Sequence, residues 1–205
     1  MPTVLVTGFD AWGDLDANPA WLAVESCTPS LPPDWHLNRQ RIPVSWEQGF
    51  EQLLGEWNSD VAAVLSFGVA PIRGVALERI AINLSEGQDV DGKLPQEEPI
   101  IDGGPAAYWS TLPLLEIEQA LHQANLTAKP SAHAGTYLCN HLFYRVMHHA
   151  LWKKPEMPAG FIHLPNLRQP DSLTQDQLTE AVTISIETTV RSKLDGSPQA
   201  SLLGR

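Results

Sequence analysis

Two cysteines, Cys27 and Cys139, are all that 205 residues supply. That is too few for the disulfide framework on which small secreted domains depend, and a chain of this length needs none to fold. Basic residues are also scarce: 13 Lys and Arg against 24 Asp and Glu leave a formal net charge of −11. No basic cluster stands out, so a phosphate backbone would be repelled and nucleic acid is not an expected partner. No apolar run approaches the roughly 20 residues that a bilayer requires. The opening Met1-Pro-Thr-Val-Leu-Val-Thr-Gly lacks both the basic start and the apolar stretch of a secretion signal. The expectation is a cytoplasmic protein without membrane association. What remains, 43% hydrophobic and 18% charged residues, describes one soluble globular domain.

The pattern along the chain alternates strand and helix. Thr3 to Thr7 is a β-branched run ending at Gly8, as a buried strand opening into a loop would. Asn18-Pro19 then supplies a capping residue and a proline at the helix position that tolerates it, predicting a helix to about Cys27. Asn38 to Pro43 is a candidate strand. Ser45 with Gln48 predicts a capping box, followed by Phe50, Leu53, Leu54 and Trp57 at helical spacing. Val61 to Phe67, apolar throughout and closed by Gly68, reads as a central parallel strand buried on both faces. Val75 to Leu84 alternates, and Glu78 shares the parity of Ile80, Ile82 and Leu84. Ser85 to Pro105 has no period and reads as a long, functional loop. Ser110 to Asn125 and a segment from about Thr136 read as helices, Gly160 to Leu164 as a strand, and Thr174 with Gln177 as the capped start of a last helix. Residues 195–205 read as a disordered tail after a domain spanning 1–194. The order of elements points to an α/β fold.

Cys139 lies in the first turn of the helix marked by Leu142, Phe143, Val146, Met147, Ala150 and Leu151. With Thr136 as cap, unpaired amides and the positive end of the helix dipole would face the sulfur, favouring thiolate and offering an oxyanion hole. A cysteine alone is more often a small core hydrophobe, and Cys27, at a helix end, is given no function. His163 ends the strand Gly-Phe-Ile-His, at the edge where open α/β sheets hold ligands. Glu78, a carboxylate on an otherwise apolar strand face, needs a partner: an imidazole, or Arg73 or Arg79 nearby in sequence. The three fit the pattern of a nucleophile, a base and a group that holds the base. His141, His148 and His149 share a helix face but lack the i, i+4 pair of a zinc motif, so no metal is expected. Neither Gly8, Gly13, Gly68 and Gly74 nor Gly103-Gly104-Pro105 forms a nucleotide-binding loop.

The segments Thr7-Gly-Phe-Asp with Asn18-Pro, Leu77-Glu-Arg-Ile-Ala-Ile-Asn, Gly103-Gly-Pro-Ala-Ala-Tyr, Ala134-Gly-Thr-Tyr-Leu-Cys-Asn-His and Gly160-Phe-Ile-His-Leu-Pro run in the order found in pyroglutamyl peptidase I, which the chain resembles over about residues 3 to 168. The resemblance implies a single α/β domain, a twisted, mostly parallel sheet flanked by helices on both faces, often assembled as a homo-oligomer (dimer or tetramer). It implies a thiol peptidase that needs no cofactor and removes an amino-terminal pyroglutamate. Cys139 would attack the pyroglutamyl carbonyl, His163 would shuttle the proton and Glu78 would orient the imidazole. Phe9 and Trp12 match positions that hold the lactam ring, with Asn18 beside them, and Tyr137 and Leu138 match the pocket wall. Three positions depart from the family: Val44 and Val69 stand where polar residues are common, and Gln88 where an arginine is usual. Loss of an oxyanion donor costs ~3 kcal/mol of transition-state stabilisation. Three functions therefore stay open: a peptidase acting on pyroglutamyl peptides, a related cysteine hydrolase of another small cyclic or acyl amide, and a ligand-binding protein without catalysis.

Overall fold

The computed structural model describes residues 1–13, 16–96, 99–168 and 172–196. The opening β-branched run is strand β1 (Thr3–Phe9), buried along its whole length. Asn18 caps α1 (Pro19–Ser26) by accepting from the Ala20 amide at 2.9 Å. There follow β2 (His36–Ile42), α2 (Gly49–Glu56), β3 (Val61–Ala70) and β4 (Val75–Ile82). Next come β5 (Ala107–Trp109), α3 (Leu114–Gln123) and β6 (Ala128–His133). The last elements are α4 (Leu138–Lys153), β7 (Ala159–Pro165) and α5 (Gln175–Leu194).

The strands form one seven-stranded sheet in the order β2-β1-β3-β7-β4-β5, with β6 along β4. β2, β1, β3 and β7 are mutually parallel, β4 runs antiparallel to β7, and β6 runs parallel to β4. Alternation along the strands sorts side chains into two layers. Val4, Val6, Leu65 and Phe67 pack with Ala20, Ile117 and Ile186 from α1, α3 and α5. Leu5, Val64 and Phe161 pack with Phe50 and Phe143 from α2 and α4. Helices thus cover both faces of a single α/β domain, and β3 lies between β1 and β7 as its unbroken apolar run predicts. Among the described residues no helix is long and apolar enough to cross a membrane.

Several local expectations are corrected. α2 starts at Gly49: Ser45 Oγ accepts from the Gln48 amide at 3.4 Å, but this closes a turn ahead of the helix rather than capping it. The turn frees Trp46, whose ring nitrogen donates to the Lys93 carbonyl at 3.1 Å. On β4 the most deeply buried apolar residues are Val75, Leu77 and Ala81, while Ile80 and Ile82 are half-buried. β6 is unexpected; its polar residues and Pro130 carry no apolar period, and proline is tolerated because the strand pairs on one side only. The expected tail lies outside the described residues from 197 onward, and Asp195 and Gly196 form a turn after α5.

The capping box of α5 is present in both directions, Thr174 Oγ1 accepting from the Gln177 amide and Gln177 Oε1 from the Thr174 amide. Thr174→Ala should therefore cost about 1 kcal/mol and lower Tm by about 2–4 °C in a thermal melt.

Candidate active site

The carboxyl ends of β1, β3 and β7, the start of α4 and the strands β4 and β6 enclose a cavity of about 620 Å³. Cys139, His163 and Glu78 all line it. His163 lies on β7 and Glu78 on the adjacent β4, where the antiparallel register pairs His163 with Ala76 and so places Glu78 diagonally beside the imidazole. Nδ1 of His163 sits 2.8 Å from Oε1 of Glu78, and both residues are almost wholly buried. The carboxylate chose the imidazole rather than an arginine: Arg79 donates instead to the Ser131 carbonyl. With Nδ1–H directed to Glu78, Nε2 is the nitrogen left to face the thiol. Burial opposes a positive charge on His163, but the charge and hydrogen bond of Cys139, and then those of Glu78, outweigh it and push its pKa up to about 9.

The thiol reaches this pair because nothing stands beneath it. A β-carbon on Gly68 of β3 would come 3.1 Å from Cys139 Sγ and 2.8 Å from the Phe161 ring, distances that force something to shift. Cys139 is the second residue of α4, where a Thr136 cap would make it the third. Tyr137 occupies the cap position without a side-chain capping bond, and the Thr136 carbonyl accepts from the Glu86 amide instead. His141 is the first to bond back, to the Tyr137 carbonyl at 3.0 Å, so the amides of Leu138, Cys139 and Asn140 have no acceptor within the helix.

Asn140 was missed from the sequence. Its buried side chain donates to the Ile82 and Leu84 carbonyls and accepts from the Ile82 amide, each at 2.9 Å, tying the first turn of α4 to the end of β4. An asparagine directly after a candidate nucleophile was the only signal. The loop beyond β4 is fastened in the same way, by Ser85 Oγ on His141 Nδ1 at 3.0 Å and by the buried Asp89 on the Trp46 amide.

Of the remaining expected site residues, Phe9, Trp12, Val44 and Val69 line the cavity, as do Tyr137 and Leu138. Asn18 also borders it, with its amide group engaged by the Asp10 carbonyl and the α1 cap. Gln88 does not line it; what it contributes is its backbone carbonyl, which accepts from the Tyr137 hydroxyl at 2.7 Å. The α4 histidines have partners unrelated to a metal: His141 bonds Ser85, His148 bonds the Tyr108 hydroxyl, and His149 meets the Trp57 ring edge-on. Burial drives His141 down to about 4, with the Arg145 charge adding to it, so its ring is neutral. Cys27 is fully buried, its thiol raised by burial, consistent with a core residue.

A thiol lining the same cavity as a hydrogen-bonded imidazole–carboxylate pair, at the end of a parallel sheet, defines the class of cysteine hydrolases. Within that class the family is shown by comparison: residues 2–194 match the model of the pyroglutamyl peptidase family, to which the chain belongs. The pyrrolidone-carboxylate peptidase of Brevibacillus brevis is 39% identical over 93% of this chain and 94% of its own. That of Clavibacter michiganensis is 35% identical over 95% and 96%. Among solved structures, pyroglutamyl peptidase I of Bacillus amyloliquefaciens superposes with a TM-score of 0.85 at 31% identity, over 93% of this chain and 98% of that one. A pyrrolidone carboxyl peptidase variant from Pyrococcus furiosus gives 0.85 at 30% identity, over 93% and 99%.

Gly68→Ala should displace the sulfur or the Phe161 ring by a fraction of an ångström. We expect kcat/KM to fall by about 10²-fold while the fold persists, measured by amidase assay beside a thermal melt.

Proposed function

We propose that this chain is a cysteine omega peptidase that releases an amino-terminal pyroglutamyl residue through a thioester acyl-enzyme. The observation that carries the reading is the buried His163 held between Cys139 and Glu78. The thiolate of Cys139 attacks the pyroglutamyl carbonyl carbon, and the developing oxyanion meets the unpaired amides at the start of α4. The tetrahedral intermediate collapses as the imidazolium of His163 gives its Nε2 proton to the departing amine, leaving a thioester on Sγ. Water, deprotonated by His163, then attacks the thioester, and pyroglutamate leaves as the thiolate is restored. Glu78 keeps Nδ1 protonated and offsets the imidazolium charge throughout. The apolar wall formed by Phe9, Trp12, Tyr137 and Leu138 suits the flat lactam ring. Residues 1–194 form the catalytic domain in this reading. Two free thiols suit a reducing, cytoplasmic setting, and a homo-oligomer is the assembly that the family resemblance implies.

A second reading is favoured by Val44 and Val69, which present hydrocarbon to the cavity where the resemblance leads one to expect polar groups. The same machinery would then serve another small cyclic or acyl amide. Alkylation of Cys139 without turnover of a pyroglutamyl amide would select this reading over the first.

Cys139→Ala should bring release of an amine from a pyroglutamyl amide down to background. The pH profile of kcat/KM supplies a sharper measure. A histidine raised to about 9 keeps its proton between pH 6.5 and 9 and loses it above, so the alkaline limb should fall near pH 9. Glu78→Gln removes one of the charges that raise it and should move that limb to lower pH, with a loss of rate of about 10²-fold or more. An alkaline limb unmoved by Glu78→Gln would remove Glu78 from the relay.

A further inference from the structure

The sheet register sets four residues in one row across the cavity floor. Gly68 pairs with His163, His163 with Ala76, and Ala76 with Lys129 on β6. The nucleophile stands above the first of these and the imidazole grows from the second, so the row has a direction. On the β1 side of Cys139 lie Phe9 and Trp12, the wall that suits the lactam. On the far side of His163 lie Ala76 and then β6. Because His163 protonates the departing amine, the leaving peptide must extend past His163 towards β6 in the reading proposed above.

That far wall differs in chemistry from the lactam side. Lys129, Ser131 and His133 occupy alternate positions of β6, opposite Ala76, Glu78 and Ile80, and line the cavity together with Pro130. His133 Nδ1 accepts from the Gly135 amide at 3.1 Å, which leaves its Nε2 as a donor. Among the described residues that line the cavity, Lys129 is the one lysine or arginine, and Glu78, engaged by His163, is the one acid. Lys129 makes no salt bridge among the described residues, although the chain carries a formal net charge of −11. Strands about 4.8 Å apart put its Cα roughly 10 Å from that of His163, with only the methyl group of Ala76 between them. An extended ammonium and a carboxylate on the first residue of the leaving peptide can meet across that gap.

We infer that Lys129 is a specificity-determining residue that selects a carboxylate on the first residue after the pyroglutamyl group. The carboxylate is either an acidic side chain or the free terminus of a dipeptide. The inference rests on the pyroglutamyl peptidase reading and adds the class of leaving group to it.

Two substrate pairs separate the sources: pyroglutamyl-glutamate amide against pyroglutamyl-glutamine amide, and pyroglutamyl-alanine against its amide. In at least one pair the acid should be preferred about threefold to fivefold in kcat/KM at low ionic strength, and the pair that responds identifies the source. The preference should shrink as salt screens the rim. It should collapse to about one in Lys129→Gln and invert in Lys129→Glu. Cleavage of all four substrates with no acid preference, or a preference unchanged in Lys129→Gln, overturns the inference and leaves the peptidase reading standing. Failure to cleave any of the four overturns the peptidase reading and this inference together.

Discussion

The hydrogen bond from His163 Nδ1 to Glu78 is the contact around which the site is arranged. A carboxylate with almost no exposure is costly unless its charge is answered. Here the answer comes from a ring that must also stay free on its other nitrogen. One bond therefore fixes tautomer, ring plane and charge together. The register of β4 on β7, which sets Ala76 opposite His163, is what brings Glu78 diagonally next to the imidazole.

The sulfur is brought to that pair by a different kind of control. Gly68 removes the obstacle below it, and Asn140 anchors the helix that carries it to the same strand that bears Glu78. Cys139 and Glu78 thereby share β4 as a common reference, although they lie 61 positions apart in the chain. The long loop after β4 adds to this through Ser85 on His141, Glu86 on Thr136 and Gln88 on Tyr137. What reads in the sequence as an unpatterned stretch is in the structure the outer brace of the cysteine segment.

The elements legible in the sequence were those with a local physical signature. The unbroken apolar run of β3, the Asn18-Pro19 entry to α1 and the reciprocal box of α5 each declare themselves within a few residues. The positions of Cys139 and His163 followed from helix start and strand end, and Glu78 stood out as a charge among hydrocarbons. What stayed hidden depends on neighbours distant in sequence. β6 is polar and becomes a strand only because β4 offers it an edge. Ser45 has the residue spacing of a cap, but the anchoring of Trp46 by Asp89 and Lys93 moves the helix start beyond it. Gln88 acts through its carbonyl, which no side-chain reading can reveal.

Pro130 has one more consequence. β6 borders the sheet with its outer side unpaired, and such borders invite strands from other molecules to add on. A proline in the middle of that border, flanked by a lysine, breaks the run of donors that an incoming strand would need. The rim of the cavity can remain open to small peptides in solution without serving as a seed for self-association.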